Sequence, residues 1–345
     1  MEDPAPIMTE TTFPTGKLPL EFLQSLLHRY TRDDPRLITG PGVGEDVAVI
    51  DMSDRYMVVK TDPITFATDQ IGWYAVHINA NDVATSGARP LWMLNTLLLP
   101  GKGTTPALVD EIFCQLHDAA ESLGIALVGG HTEVTWGLDR PIIVGCLIGE
   151  VAKEDLLTTA GARVGDEIVL VKGIPIEATA IIAREKADEL WQRGYTEDVI
   201  QRAQNYLHDP GISIVDVARL AAKHSGVHGM HDPTEGGLAT GLHELAIAAN
   251  AGLRLDAEAV TILPEGAQLC AEFGLDPLGA IASGALLVAV APEEAQALVA
   301  AYADQGVPAA VIAELLPENK GITVVRNGAV APLRRFDADE IARIF

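Results

Sequence analysis

A chain of 345 residues exceeds the ~250–300 at which one hydrophobic core stops growing, so two domains are expected. Its 48 acidic against 24 basic residues give a formal charge of −24 at pH 7, a field that repels nucleic acid and anionic lipid and excludes both as partners. Hydrophobic residues make up 48%, yet no stretch reaches the ~18 uninterrupted apolar residues of a membrane span; the acid- and proline-rich start lacks the basic and apolar regions of a signal peptide, so a cytoplasmic location is expected.

Residues 1–15 are rich in Pro, Thr and acid without periodicity and read as a disordered tail. Leu20, Leu23, Leu26 and Leu27 then predict an amphipathic helix. A polar loop leads to GPGVGEDVAVI at 40–50, a glycine-rich turn through Gly44 that sets Glu45 and Asp46 at the start of a short strand. The next strand, YMVVKTDPI, ends on Thr61, Asp62 and Pro63. From Gly72 onward, Val76, Ala80, Val83, Ala84 and Gly87 recur on one face of a 3.6-residue period. Asn79, Asp82 and Ser86 form a second, polar stripe, and Gly87 and Pro90 stop the helix.

LWMLNTLLL predicts a strand, and Thr104 or Thr105 caps a helix with a buried stripe of Leu108, Val109, Ile112, Phe113, Leu116, Ala119, Ala120 and Leu123. Strand IALVG runs into Gly129 and Gly130, with His131, Thr132 and Glu133 placed at the strand end. IIVGCLIGEV closes the first half, periodicity lapses between Ala152 and Val164, and the boundary is placed near 160, giving domains 16–159 and 160–345. The second half begins with strand DEIVLVKG, a helix over 175–190 and the helix ISIVDVARLAAKH. A strand then meets a turn at Asp232, and Gly236 and Gly237 open a helix with a stripe of Leu238, Leu242, Leu245, Ala246 and Ala249. GLRLD, a helix around Leu269, ASGALLVAV, a helix over 292–304, VPAAVIAELL and ITVVRNG continue the alternation of strand and helix. Cys114, Cys146 and Cys270 sit in apolar periodic segments with no CxxC pair and read as core thiols.

Three groups carry chemistry. Glu45, Asp46, Asp62 and Asp82 each adjoin a glycine turn or an element end, a supply of hard oxygen donors that suits Mg²⁺ and phosphate, or else ordinary acidic turns in a very acidic chain. GGHTEVT and TEGGL place glycine pairs beside element ends, where backbone amides favour anions or simply make tight turns; neither is a P-loop or a dinucleotide fingerprint. His228, His231 and Asp232 could ligate zinc or serve the structure, and the spacing favours structure.

Taken jointly and in this order, GKLPLEFL, GEDVAVI, TDPI, NDVATSGARP, GGHTEVT, HDPTEGGLATGLHELA and ASGALL resemble the aminoimidazole ribonucleotide synthetase (PurM-like) superfamily over about residues 16–316, and most nearly its HypE-like hydrogenase expression/formation proteins. The resemblance implies an α/β (α+β) fold with an N-terminal domain that dimerises through its sheet, a C-terminal α/β domain over it, and ATP with Mg²⁺ in the cleft. It implies Asp46, Asp62 and Asp82 as metal ligands. Gly44, Gly129, Gly130, Thr132, Gly236 and Gly237 would contact the nucleotide with those acids, and Asp232, His131 and Glu133 are the catalytic candidates. The implied chemistry is phosphorylation of an amide-type oxygen or small nucleophile, positioned by charge neutralisation. Two departures stand out: HypE proteins end in Pro-Arg-Ile-Cys where this chain reads Ala342, Arg343, Ile344, Phe345, and Gly-Asp-Thr-Lys is replaced by Gly130, His131, Thr132, Glu133. Both count against cyanide-group synthesis on the chain's own tail. The expectation is an enzyme acting on another small substrate, as a homodimer and with a maturation factor as a possible partner; the rival is a non-catalytic nucleotide-binding partner in hydrogenase or metallocofactor maturation.

Overall fold

The computed structural model describes Phe13, Leu18 and residues 20–32, 34–42, 46–65 and 69–345. The tail expected over residues 1–15, apart from Phe13, lies outside them, as do Gly44 and Glu45. The first unit runs α1 (Leu20–Tyr30), β1 (Leu37–Thr39), β2 (Ala48–Asp51), β3 (Tyr56–Ile64), α2 (Ile71–Thr85), β4 (Arg89–Pro100), α3 (Pro106–Leu123), β5 (Ala126–Thr135) and β6 (Ile142–Val151). Its six strands are ordered β1-β2-β3-β6-β4-β5. Every pair is antiparallel except β4 and β5, which run parallel and are joined by the crossover helix α3.

Strand alternation divides this sheet into two faces. Ile143, Leu147 and Val151 of β6, with Met93, Leu97 and Leu99 of β4, are buried on the helical side. On the other side Trp92 and Leu94 are exposed. α3 is capped as its sequence requires: the Thr105 hydroxyl accepts from the Leu108 amide at 3.2 Å, and Gly124 ends the helix in the left-handed region. Its stripe is narrower than expected, because Phe113 is exposed, and Cys114 is exposed too rather than a core thiol. Cys270 is buried and Cys146 half-buried.

α2 is the central element. Every residue in it except Trp73 is buried, because α3, the first sheet and the second unit surround it, so the stripe of Asn79, Asp82 and Ser86 is internal rather than solvated. Close packing of α2 on α3 depends on Gly72, where a Cβ would lie 2.7 Å from the Ile112 carbonyl oxygen and 2.8 Å from Gln115 Cβ.

The second unit comprises β7 (Glu167–Val171), α4 (Ile176–Glu185), α5 (Ala187–Gln192), α6 (Glu197–Asn205), α7 (Val215–Ala222), β8 (Val227–His231), α8 (Gly237–Ala248), β9 (Ala251–Asp256), α9 (Pro264–Phe273), β10 (Leu286–Val290), α10 (Pro292–Asp304), β11 (Ala309–Pro317), β12 (Ile322–Arg326) and β13 (Ala329–Pro332). Its sheet is ordered β13-β12-β9-β11-β7-β10-β8. One face packs on α8 through Leu238, Leu242 and Leu245; the other packs on α7 and α10 through Val217, Ala221, Leu298 and Tyr302. β10 is therefore buried along its whole length, which explains its unbroken apolar sequence. The helix expected over 175–190 is broken at Lys186 into α4 and α5, and α6 follows, a helix whose polar sequence buries only Ile200 and Ala203. No helix among the described residues is long and apolar enough to cross a membrane.

Candidate metal and nucleotide site

Four carboxylates arrive at one place from four elements. Asp46 precedes β2, Asp62 lies near the end of β3, Asp82 is in the last turn of α2, and Asp232 follows β8 directly. One oxygen of each of Asp46, Asp82 and Asp232 lies within 4.8 Å of the others. Asp82 and Asp232 are each 2% exposed. Neither oxygen of Asp232, nor Oδ2 of Asp82, makes a hydrogen bond within the protein. Buried carboxylate oxygens without partners are costly unless a cation or ordered water meets them.

Lys60 supplies one cation. Strand alternation puts it on the same face of β3 as Asp62, two residues on. Its Nζ is 3.2 Å from Asp82 Oδ2 and 3.5 Å from Asp62 Oδ2, an ion pair with Asp82 that lacks hydrogen-bond alignment. His231 sits behind Asp46, with Nδ1 2.9 Å from Asp46 Oδ2 and Nε2 3.1 Å from Glu244 Oε2. Burial pushes the Asp82 carboxyl well above its usual range and Asp232 up to about 7, with neighbouring carboxylates adding to both; Lys60 opposes the rise at each, and His231 opposes it at Asp232. Burial alone would lower Lys60 and His231, but the surrounding carboxylates outweigh it and raise both. The cluster is thus short of positive charge. All three closely set donors are hard oxygens, and they fit a Mg²⁺ ion.

The glycine segment expected at a strand end is instead the body of β5, which continues to Thr135 because β4 pairs with it throughout. Asp62, Gly145, Asn95 and Gly130 are successive partners across β3, β6, β4 and β5, so Gly130 stands in the same transverse row as Asp62. Gly130 has φ 147°, and a Cβ there would lie 2.0 Å from the Asn95 carbonyl oxygen, so only glycine fits. His131 and Glu133 face each other at 3.1 Å on exposed β5, with Thr132 between them, and are not members of the carboxylate cluster. Gly236 and Gly237 open α8, but their amides already have partners: Gly236 donates to Asp339 Oδ2 at 2.7 Å and Gly237 to the Thr234 carbonyl at 2.9 Å. His228 is drawn away from His231 and bonds Asp166 at 2.9 Å.

Sequence reasoning singled out neither Lys60 nor Glu244. The signal for Lys60 was the two-residue alternation from Asp62; for Glu244, no spacing in the sequence pairs it with His231, because that contact depends on how α8 packs against β8.

Two family profiles cover most of the chain. The one described as AIR synthase related protein, N-terminal domain, matches residues 44–151, and its C-terminal domain matches 163–326. The chain belongs to the AIR synthase-related, PurM-like family. Within it the similarity points to the HypE-like members. The carbamoyl dehydratase HypE of Cupriavidus necator is 33% identical over 266 residues, covering 75% of this chain and 72% of that protein. The hydrogenase expression/formation protein HupE of Azotobacter chroococcum is 29% identical over 284 residues, 80% of each. Among solved structures, the hydrogenase maturation protein HypE in complex with ATP superposes with a TM-score of 0.68 at 25% identity, covering 93% of this chain and 96% of that one.

Proposed function

We propose that this PurM-like chain is an ATP- and Mg²⁺-dependent enzyme that activates a small amide-type substrate by phosphoryl transfer. The observation that carries this reading is the gathering of Asp46, Asp82 and Asp232, with both oxygens of buried Asp232 making no hydrogen bond within the protein, and the HypE solved with ATP supports the nucleotide. Asp46, Asp82 and Asp232 would hold the ion, with Asp62 next to them through Lys60. Bound there, Mg²⁺ would neutralise phosphate charge and orient the transferring group. His231, hydrogen-bonded on both ring nitrogens, fixes the orientation of Asp46.

The names of the relatives support a substrate or a partner protein that belongs to hydrogenase or metallocofactor maturation. The uncovered face and exposed edge strand β5 of the first sheet make a homodimer the assembly we propose.

The test is Asp232→Asn. Calorimetric titration with Mg²⁺ and a non-hydrolysable ATP analogue should show binding to the wild type and at least ~10-fold weaker metal binding to the variant, the equivalent of about 1.4 kcal/mol. Wild-type protein that binds neither ligand overturns the reading. Tight binding without hydrolysis, whatever amide is supplied, favours the non-catalytic maturation partner.

A further inference from the structure

We propose that Lys60 is the resident second cation of this site: its ammonium holds the place between Asp62 and Asp82, so the cluster takes one divalent ion, on Asp46, Asp82 and Asp232, and Asp62 is served by Lys60 rather than by metal. The proposal rests on the preceding assignment of a divalent site and specifies its stoichiometry.

Three observations lead to it. The Lys60 side chain is 16% exposed and its Nζ contacts Asp82 and Asp62 together, so it is a fixed part of the interior rather than a surface group that happens to reach in. A magnesium-sized ion bridging the same two carboxylates would bond their oxygens at ~2.0–2.1 Å and so fall in the space the ammonium fills. Two positive centres that close in a poorly solvated site repel strongly, so ammonium and ion exclude one another at that position. Asp82 also meets Asp46 and Asp232: one oxygen of each of the three lies within 4.8 Å of the others, and both Asp232 oxygens are without hydrogen bonds.

Charge counting agrees. Asp46, Asp62, Asp82 and Asp232 carry four formal negative charges and Lys60 returns one, leaving three. One divalent ion reduces these to one. A second ion in addition to the ammonium would reverse the sign of the cluster, whereas a second ion in place of the ammonium would leave it neutral. Removing the ammonium should therefore convert a one-metal site into a two-metal site.

The experiment counts Mn²⁺ bound to the full-length protein without nucleotide, by electron paramagnetic resonance of the free ion, for the wild type, Lys60→Met and Lys60→Arg. One tight ion is expected in the wild type and in Lys60→Arg, and two in Lys60→Met. Because Lys60→Met strips the buried carboxylates of their counter-ion, its thermal unfolding is followed as well, and Mn²⁺ should restore a wild-type Tm over the concentration range that fills the second position. Two ions in the wild type, a single ion of unchanged affinity in Lys60→Met, or a Lys60→Met protein that Mn²⁺ fails to restore overturns the proposal. If the wild type and Lys60→Met each hold one ion, the role of Lys60 fails while the divalent site stands; if the wild type holds none, both fail.

Discussion

Glu177 is the second residue of α4, 6% exposed, with Oε2 unpartnered and its carboxyl pushed up to about 8, by burial above all and by Asp339, Glu235 and Asp62 in addition, against the opposing influence of the nearby Ser283 hydroxyl. The folded protein therefore keeps a proton on Glu177 that the unfolded chain releases above the ordinary glutamate value of 4.5. Stability should fall as pH rises from that value and level off above about 8. Glu177→Gln removes this slope: urea unfolding at several pH values should show a variant more stable than the wild type at pH 8, by on the order of a few kcal/mol at most, with the difference shrinking toward pH 5. Among individual residues the acids were legible, since Asp46, Asp62, Asp82 and Asp232 all stand at element ends. Glu177 was not, because IPIEATA reads as an ordinary acidic first turn of a helix, and burial is imposed only when α4 packs into the larger core that α2 and α3 share.

At the scale of elements, α2 shows how far a pattern reaches. Its 3.6-residue repeat, small residues and stop at Gly87 were readable, but the meaning of its polar stripe depended on what covers it. Asn81 illustrates this: its side chain donates to the Ile212 carbonyl and accepts from the Ile214 amide, both at 2.8 Å, in a segment of the second unit far along the chain. Gly72→Ala should test how tightly the helix is held. Alanine favours a helix by roughly 1 kcal/mol over glycine, but its methyl group would meet the backbone of α3, and the net result expected is destabilisation by ~1–3 kcal/mol in chemical unfolding, with weaker Mn²⁺ binding as Asp82 shifts. Helix α6 and the second half of β5 escaped the sequence for opposite reasons. α6 is too polar to announce a buried face, and β5 hides a strand behind two glycines that usually mark a turn.

For the whole molecule, two α/β units and their order were visible, whereas strand order was not, because pairings such as β3 with β6 join segments with no local signature. The apolar run of β4 puts apolar side chains on both of its faces, and Trp92 and Leu94 on one of them stay exposed among the described residues. Leu127, Val128 and Val134 are exposed on the neighbouring edge strand β5. A second copy of so acidic a chain can approach only over an apolar region, where the repulsion of two charges of −24 is least felt and salt screens the rest. Light scattering should give the mass of two chains at physiological salt, and Leu94→Glu should give one, with unchanged far-ultraviolet circular dichroism.

Asp46 and Asp82 belong to the first unit and Asp232 to the second, so an ion shared among them would be a removable cross-link as well as a chemical group. Like a disulfide, it would close a long loop of chain and withdraw conformational freedom from any state in which the halves part. Unlike a disulfide, it would open or close with the supply of the ion. The same three carboxylates that would prepare phosphate for transfer would then also report whether the two halves are latched.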